Sequence, residues 1–185
     1  MELKLRLEPG AYITAATALL FLPVKWLCAG ILAAFIHEAA HIAAIRLLRG
    51  QVYGIRISAS GAKIEACIDG GGREALCALA GPAGSLSLLI LAESYPEVTI
   101  CGLVQGIFNL IPVYPMDGGR ILRCFLPETI CAGIEGASMV LLWGVGIWLG
   151  IGKHLGLLPL IPAYAVSAQL IHRKIPCKDL GFAVQ

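Results

Sequence analysis

Apolar residues fall in long blocks along this chain, separated by short polar stretches. The first block, residues 11–22, is stopped by Pro23 and is short. The second covers residues 24–48, the third 74–91, the fourth 98–111, the fifth 129–151 and the sixth 155–171. A membrane-spanning helix needs about 20 mostly apolar residues. The pattern therefore predicts an all-α polytopic membrane protein, a single integral-membrane domain over residues 1–185 with about six transmembrane helices. Internal Gly and Pro do not contradict this, because neighbouring helices in a bilayer can satisfy the backbone groups they free. The spacings Gly102/Gly106 and Gly146/Gly150 would let helices approach closely.

Between the second and third blocks the period changes to two. Tyr53, Ile55, Ile57 and Ala59 alternate with smaller or polar residues, and Ile64, Ala66 and Ile68 do the same after Ser60-Gly61. Alternation on both sides of a Ser-Gly turn predicts a small β-hairpin over about residues 52–68. The run Asp69-Gly70-Gly71-Gly72 that follows lacks phosphate-loop spacing and reads as a flexible connector.

Composition agrees with the block pattern. Hydrophobic residues make up 58% of the chain and charged residues 14%, against roughly 25% charged in a soluble domain. Mean hydropathy is +0.81. A net charge of +2 gives no electrostatic support for a nucleic-acid partner. The seven cysteines are scattered without a CxxC pair, which argues against a disulfide framework or a thiolate zinc site. The N-terminus shows no convincing signal-peptide pattern. If six segments cross and the N-terminus is cytoplasmic, only Lys25 and Lys153 of the 14 Lys and Arg fall outside. That distribution follows the positive-inside rule and predicts cytoplasmic N- and C-termini.

Three titratable residues interrupt the second block: His37-Glu38-Ala39-Ala40-His41. On a helix, positions i and i+4 share a face, so His37 and His41 can hold one metal ion. Glu38, beside the first histidine, is positioned to act as general base on a metal-activated water. Ionisable groups inside a membrane segment are costly and mark functional sites. A catalytic zinc site takes three protein ligands. Glu93 and Glu97 fall on the outer side, and Glu65, Asp69 and Glu74 belong to the hairpin region. Glu135, inside the fifth segment, stays open as the third ligand. Asp117, in FNLIPVYPMDGGR, is the best candidate. Pro112 and Pro115 break the helix before it, and two glycines after it permit a tight bend. His41 lies seven residues before Leu48, which puts the site about 10 Å below the cytoplasmic surface at 1.5 Å per residue. Asp117, at the cytoplasmic end of the fourth segment, comes to the same side.

An HExxH helix followed by NxxPxxPxDGG resembles the site-2 protease family of intramembrane zinc metalloproteases, with LAGPAGSL (residues 79–86) resembling that family's Gly-Pro element. The resemblance covers residues 35–123. It implies that His37, His41 and Asp117 hold Zn2+, that Glu38 activates water, and that Asn109 positions substrate at the cleft. It also implies a membrane-associated protein substrate, inhibitory membrane-protein partners and residence in a bacterial cytoplasmic membrane. No insert is large enough for a PDZ domain, and no CBS domain is expected after the last segment. The compact core resembles the sporulation branch of the family, which implies the membrane around the forespore and the pro-sequence of a sporulation sigma factor as substrate. The hairpin would offer an edge strand to an unwound substrate. His154 and His172 are expected to be interfacial or solvent-facing. The alternative is a non-proteolytic metal-binding membrane scaffold or transporter. A transporter should show paired internal repeats, and a scaffold has no use for Glu38.

Overall fold

The computed structural model describes residues 4–7, 9–58 and 61–152, with residues 164 and 167. The chain divides into two compact units, Met1–Ser138 and Met139–Gln185. Strand β1 (Lys4–Leu7) leads into helix α1 (Pro9–Phe21), and Pro23 separates α1 from the long helix α2 (Val24–Leu47). Strands β2 (Gln51–Ser58) and β3 (Gly61–Cys67) follow. Helix α3 (Gly71–Ser87) tightens into a 3-10 turn at Leu88–Leu91. Helices α4 (Pro96–Asn109), α5 (Asp117–Phe125) and α6 (Glu128–Gly152) complete the described elements.

Among the described residues three helical stretches are long and apolar enough to cross a membrane: Val24–Leu47, Gly71–Leu91 and Glu128–Ile151. Six crossings were expected. Helix α1 has 13 residues and α4 has 14, only about 20 Å of helix against a hydrocarbon core of about 30 Å. Prolines set both lengths: Pro23 follows α1, while Pro96 opens α4 and Pro112 bars its extension. The sixth block, with His154 and His172, lies outside the described residues except for positions 164 and 167. Large apolar side chains point outward along these helices, including Leu20, Phe21, Phe35, Ile90 and Val140. A lipid-facing surface needs such side chains, whereas water would penalise them.

The hairpin is present with strands close to the expected limits, but the sheet has a third member. β1 pairs in parallel with β2, Lys4 opposite Gly54 and Leu7 opposite Ile57, giving the order β1-β2-β3. Four residues, Lys4–Leu7, are too few for a period of two to announce this strand. A register shift between Val52 and Gly54 marks a bulge at Tyr53. The glycine run is not a free connector either: α3 begins at Gly71, and Gly70 (φ 96°) turns the chain into it.

Helix packing relies on small residues. α2 buries Ala29, Ala33, His37, His41 and Ile45, a stripe with a spacing of four. α3 turns Ala78, Gly81, Pro82 and Ser85 inward. Against it, a Cβ at Gly102 of α4 would lie 2.8 Å from the Ser85 carbonyl oxygen, and one at Gly106 would lie 3.2 Å from Ser85 Cβ. The Gly102/Gly106 spacing thus does what it predicts, bringing α4 close to α3. Thr99 adds a polar tie, its hydroxyl donating to the Leu88 carbonyl at 3.0 Å where α3 becomes a 3-10 turn. Such interhelical bonds contribute about 0.6 kcal/mol each in a bilayer.

Helices α2 and α4 start at the same end, where the Lys25 ammonium lies 2.6 Å from Glu97. His37 and Asn109 are each 13 residues beyond the first residue of their helices. At 1.5 Å per residue that is about 19 Å, so the two come level to within about a turn. The shared origin of α2 and α4 sets the depth of the site.

Candidate metal centre

His37 and His41 lie on the buried stripe of α2, 2% and 6% exposed. The first turn of α5 brings Asp117 to them, 6% exposed. Asp117 Oδ2 lies 3.2 Å from each histidine Nε2, and the two Nε2 atoms are 3.2 Å apart. Three donor atoms therefore form a nearly equilateral triangle. Among the described residues this is the group of His, Cys, Asp and Glu side chains able to hold a metal ion.

The other ring nitrogens explain why these atoms converge. His41 Nδ1 lies 2.7 Å from the Cys77 carbonyl oxygen. A carbonyl only accepts, so Nδ1 carries a proton, and in the neutral ring Nε2 keeps its lone pair. His37 Nδ1 lies 2.8 Å from Ser85 Oγ, and in the tautomer that donates to this hydroxyl the Nε2 lone pair faces the same space. In those tautomers two lone pairs and a carboxylate oxygen meet in a buried space, a repulsion that a proton or a metal cation between the three atoms relieves. Zinc bonds of about 2.0–2.1 Å in a tetrahedron separate ligands by about 3.3–3.4 Å. The observed edges of 3.2 Å fit that requirement, and two imidazoles with a carboxylate form a suitable donor set.

Local sequence builds each part. Pro82 inside α3 has no N–H to give to Ala78, so the helical ladder is disturbed there. The oxygen that accepts from His41 lies at the neighbouring position, Cys77. Gly81 lies over the histidines, and a Cβ there would collide with His41 Nε2 and Cε1 and come within 2.8 Å of His37 Nε2. Gly118 and Gly119 let α5 start hard against the preceding loop, where Cβ atoms would collide with Leu110 and Val113 backbone. No side chain caps the start of α5. Arg120, one turn on, approaches the second carboxylate oxygen of Asp117 at 3.7 Å, so Oδ2 is left to the histidines.

Glu38 is half-buried beside the triad, near enough to feel the charges of His37, His41, Asp117 and Arg120. Asn109 does not join the triad. Its amide donates to the Gln105 carbonyl at 3.0 Å on its own helix, and the residue lines an apolar groove of about 410 Å³ between Trp26 and Gly30 of α2 and Val104 of α4. Glu135, the open alternative for the third ligand, is engaged elsewhere: its Oε1 lies 2.9 Å from Arg123 Nη2. Sequence reasoning missed Ser85 and the Cys77 carbonyl. Ser85 lies within LAGPAGSL, one helical turn after Gly81, so a polar residue on that small-residue face was the available signal. A backbone carbonyl leaves none.

No family model and no curated protein matches the chain in sequence. Among solved structures it is similar to the site-2 protease from Methanocaldococcus jannaschii, with a TM-score of 0.63 and 20% identity over 95% of this chain and 94% of that one. The chain shares that fold.

Proposed function

We propose that this chain is an intramembrane zinc metalloendopeptidase that cuts a membrane-associated protein near the cytoplasmic face. The observation that carries the reading is the triangle of His37 Nε2, His41 Nε2 and Asp117 Oδ2, with Glu38 next to it on a helix long enough to span the bilayer. The similarity in fold to a site-2 protease supports it.

Bound zinc would supply Lewis acidity, lowering the pKa of a coordinated water to about 7 and polarising the scissile carbonyl. His37, His41 and Asp117 would hold it, with Ser85 and the Cys77 carbonyl keeping the imidazoles in the orientation that exposes Nε2. The Glu38 carboxylate takes one proton from the attacking water and returns it to the leaving amide nitrogen, so the C–N bond breaks as a C–O bond forms. Asn109, on the wall of the apolar groove, would orient the unwound peptide. β1 and β3 are both edges of the sheet; β3, the outer strand of the hairpin, is the edge we assign to an extended substrate.

With six crossings the charge distribution would put both termini in the cytoplasm, and the motif resemblance points to a bacterial cytoplasmic membrane. Motif resemblance offers stage IV sporulation protein FB as a functional analogue. The pro-sequence of a sporulation sigma factor is therefore the first natural substrate to offer. The test is purified chain in detergent, assayed for zinc and for cleavage of labelled casein and of that pro-sequence. One zinc per chain, with cleavage abolished in Glu38→Gln, supports the protease. One zinc with no cleavage of either protein favours the metal-binding scaffold or transporter, and no zinc removes both readings.

A further inference from the structure

Among the described residues, Glu135 is the buried charge that the proposed chemistry does not use. It lies seven residues into α6, about 10 Å along the helix, and is 7% exposed within a stretch apolar enough to span a membrane. A carboxylate in such a place is expensive and needs partners. Its partners come from both sides of Asp117. Arg123, six residues after Asp117, brings Nε to 3.2 Å and Nη2 to 2.9 Å of Glu135 Oε1. The Tyr114 amide, three residues before Asp117, donates to the same oxygen at 3.3 Å. The Arg123 guanidinium also lies 4.5 Å from the centroid of the Tyr114 ring, within cation–π range.

One carboxylate oxygen therefore ties together the loop that enters α5 and the helix that leaves it. The tie reaches Asp117 through direct packing. A Cβ at Gly119 would strike the Tyr114 amide nitrogen and the Val113 carbonyl carbon, so the first turn of α5 rests on the segment that Glu135 holds. No side-chain cap at the start of α5 does this work instead. We propose that Glu135 and Arg123 are positioning residues that clamp the 113–119 segment on α6 and so aim Asp117 Oδ2 at the two histidines. The clamp rests on the reading of His37, His41 and Asp117 as a metal centre, and it makes α6 part of the machinery that sets metal affinity.

The test measures zinc affinity of the full chain in detergent by chelator competition, beside thermal unfolding in excess EDTA. Variants are Glu135→Gln, Arg123→Lys and the apolar double variant Arg123→Met with Glu135→Leu. The double variant removes both charges of the pair together, so neither is left without the other, and it is expected to unfold near the wild-type temperature in EDTA. The clamp predicts that it nevertheless binds zinc about 10- to 100-fold more weakly, the usual cost of losing an outer partner of a metal ligand. Arg123→Lys keeps the charge but loses the planar fork and stack, and should fall between. Wild-type zinc affinity in the double variant would overturn the clamp while leaving the metal centre standing. So would a drop in EDTA stability with zinc affinity unchanged, the signature of a purely structural pair. Wild type that binds no zinc would overturn the metal centre and the clamp with it.

Discussion

His41 Nδ1 bonds the carbonyl oxygen of Cys77 at 2.7 Å across the α2–α3 contact, and that bond decides which nitrogen of His41 faces Asp117. No substitution at Cys77 removes a backbone oxygen. The matching bond on His37 can be removed, because its acceptor or donor is a side chain.

Ser85→Ala deletes the hydroxyl 2.8 Å from His37 Nδ1. The ring then loses its orienting partner and a buried polar nitrogen loses its hydrogen bond, costing about 1–3 kcal/mol. Zinc affinity should fall about 10- to 100-fold. Chelator competition measures it, and unchanged affinity would remove Ser85 from the site.

Gly81→Ala places a methyl group against His41 Nε2 and Cε1. The histidines cannot both keep their positions, so zinc should be lost from a chain that still inserts in membranes. Gly133→Ala on α6, with nothing within 4 Å of its Cβ, is the control and should keep full zinc content by elemental analysis.

Asp117→Ala should lose zinc as His41→Ala does, since two ligands seldom retain the ion. Glu38→Gln should keep it while cleavage falls about 10²- to 10⁴-fold, the usual contribution of a general base. Zinc content and cleavage, measured on the same preparations, separate ligand from base. Loss of zinc in Glu38→Gln would show that Glu38 helps to hold the metal.

Zinc affinity should fall as pH drops from about 8 to about 5, because imidazole binds metal only when neutral and protons compete for Nε2. Titration of zinc binding across that range reads the effect directly. A flat profile would argue against histidine ligation.

At the other end of α2, the hydrogen bond from Lys25 holds the Glu97 carboxyl below its usual range. A carboxylate with a depressed pKa contributes stability above its unfolded value, and that contribution is lost as pH falls through the folded value. Lys25→Met should therefore lower the unfolding temperature at pH 7, with the gap to wild type closing below about pH 4. A gap that persists in acid would mean that Lys25 acts through packing of its stem.

Much of the site could be read along the chain because its chemistry is local. His37 and His41 are one turn apart, so helical geometry alone puts them on one face, and Glu38 follows from the same turn. The hairpin was legible for the same reason, since a period of two is a short-range signal. The third strand was not: four residues at the N-terminus cannot reveal that they pair with residues some fifty positions later. Among the described residues three helices reach spanning length rather than every apolar block doing so, because hydropathy counts apolar residues while proline decides where the hydrogen-bonded rod stops.

The sequence by itself determined the donor types, their membrane setting and the one helical face that carries two of them, because these depend on residue chemistry and a period of 3.6. Only the tertiary structure decided between Asp117 and Glu135. The prolines before Asp117 and the glycines after it favoured Asp117 along the chain, but only the packed helices show which carboxylate reaches the histidines. Their roles diverge because Gly118 and Gly119 let one approach the histidines, while Arg123 neutralises the other. The same holds for Cys77 and Ser85, whose contacts join residues 36 and 48 positions apart. Such distances are closed by packing of small residues between helices, which no window along the chain contains.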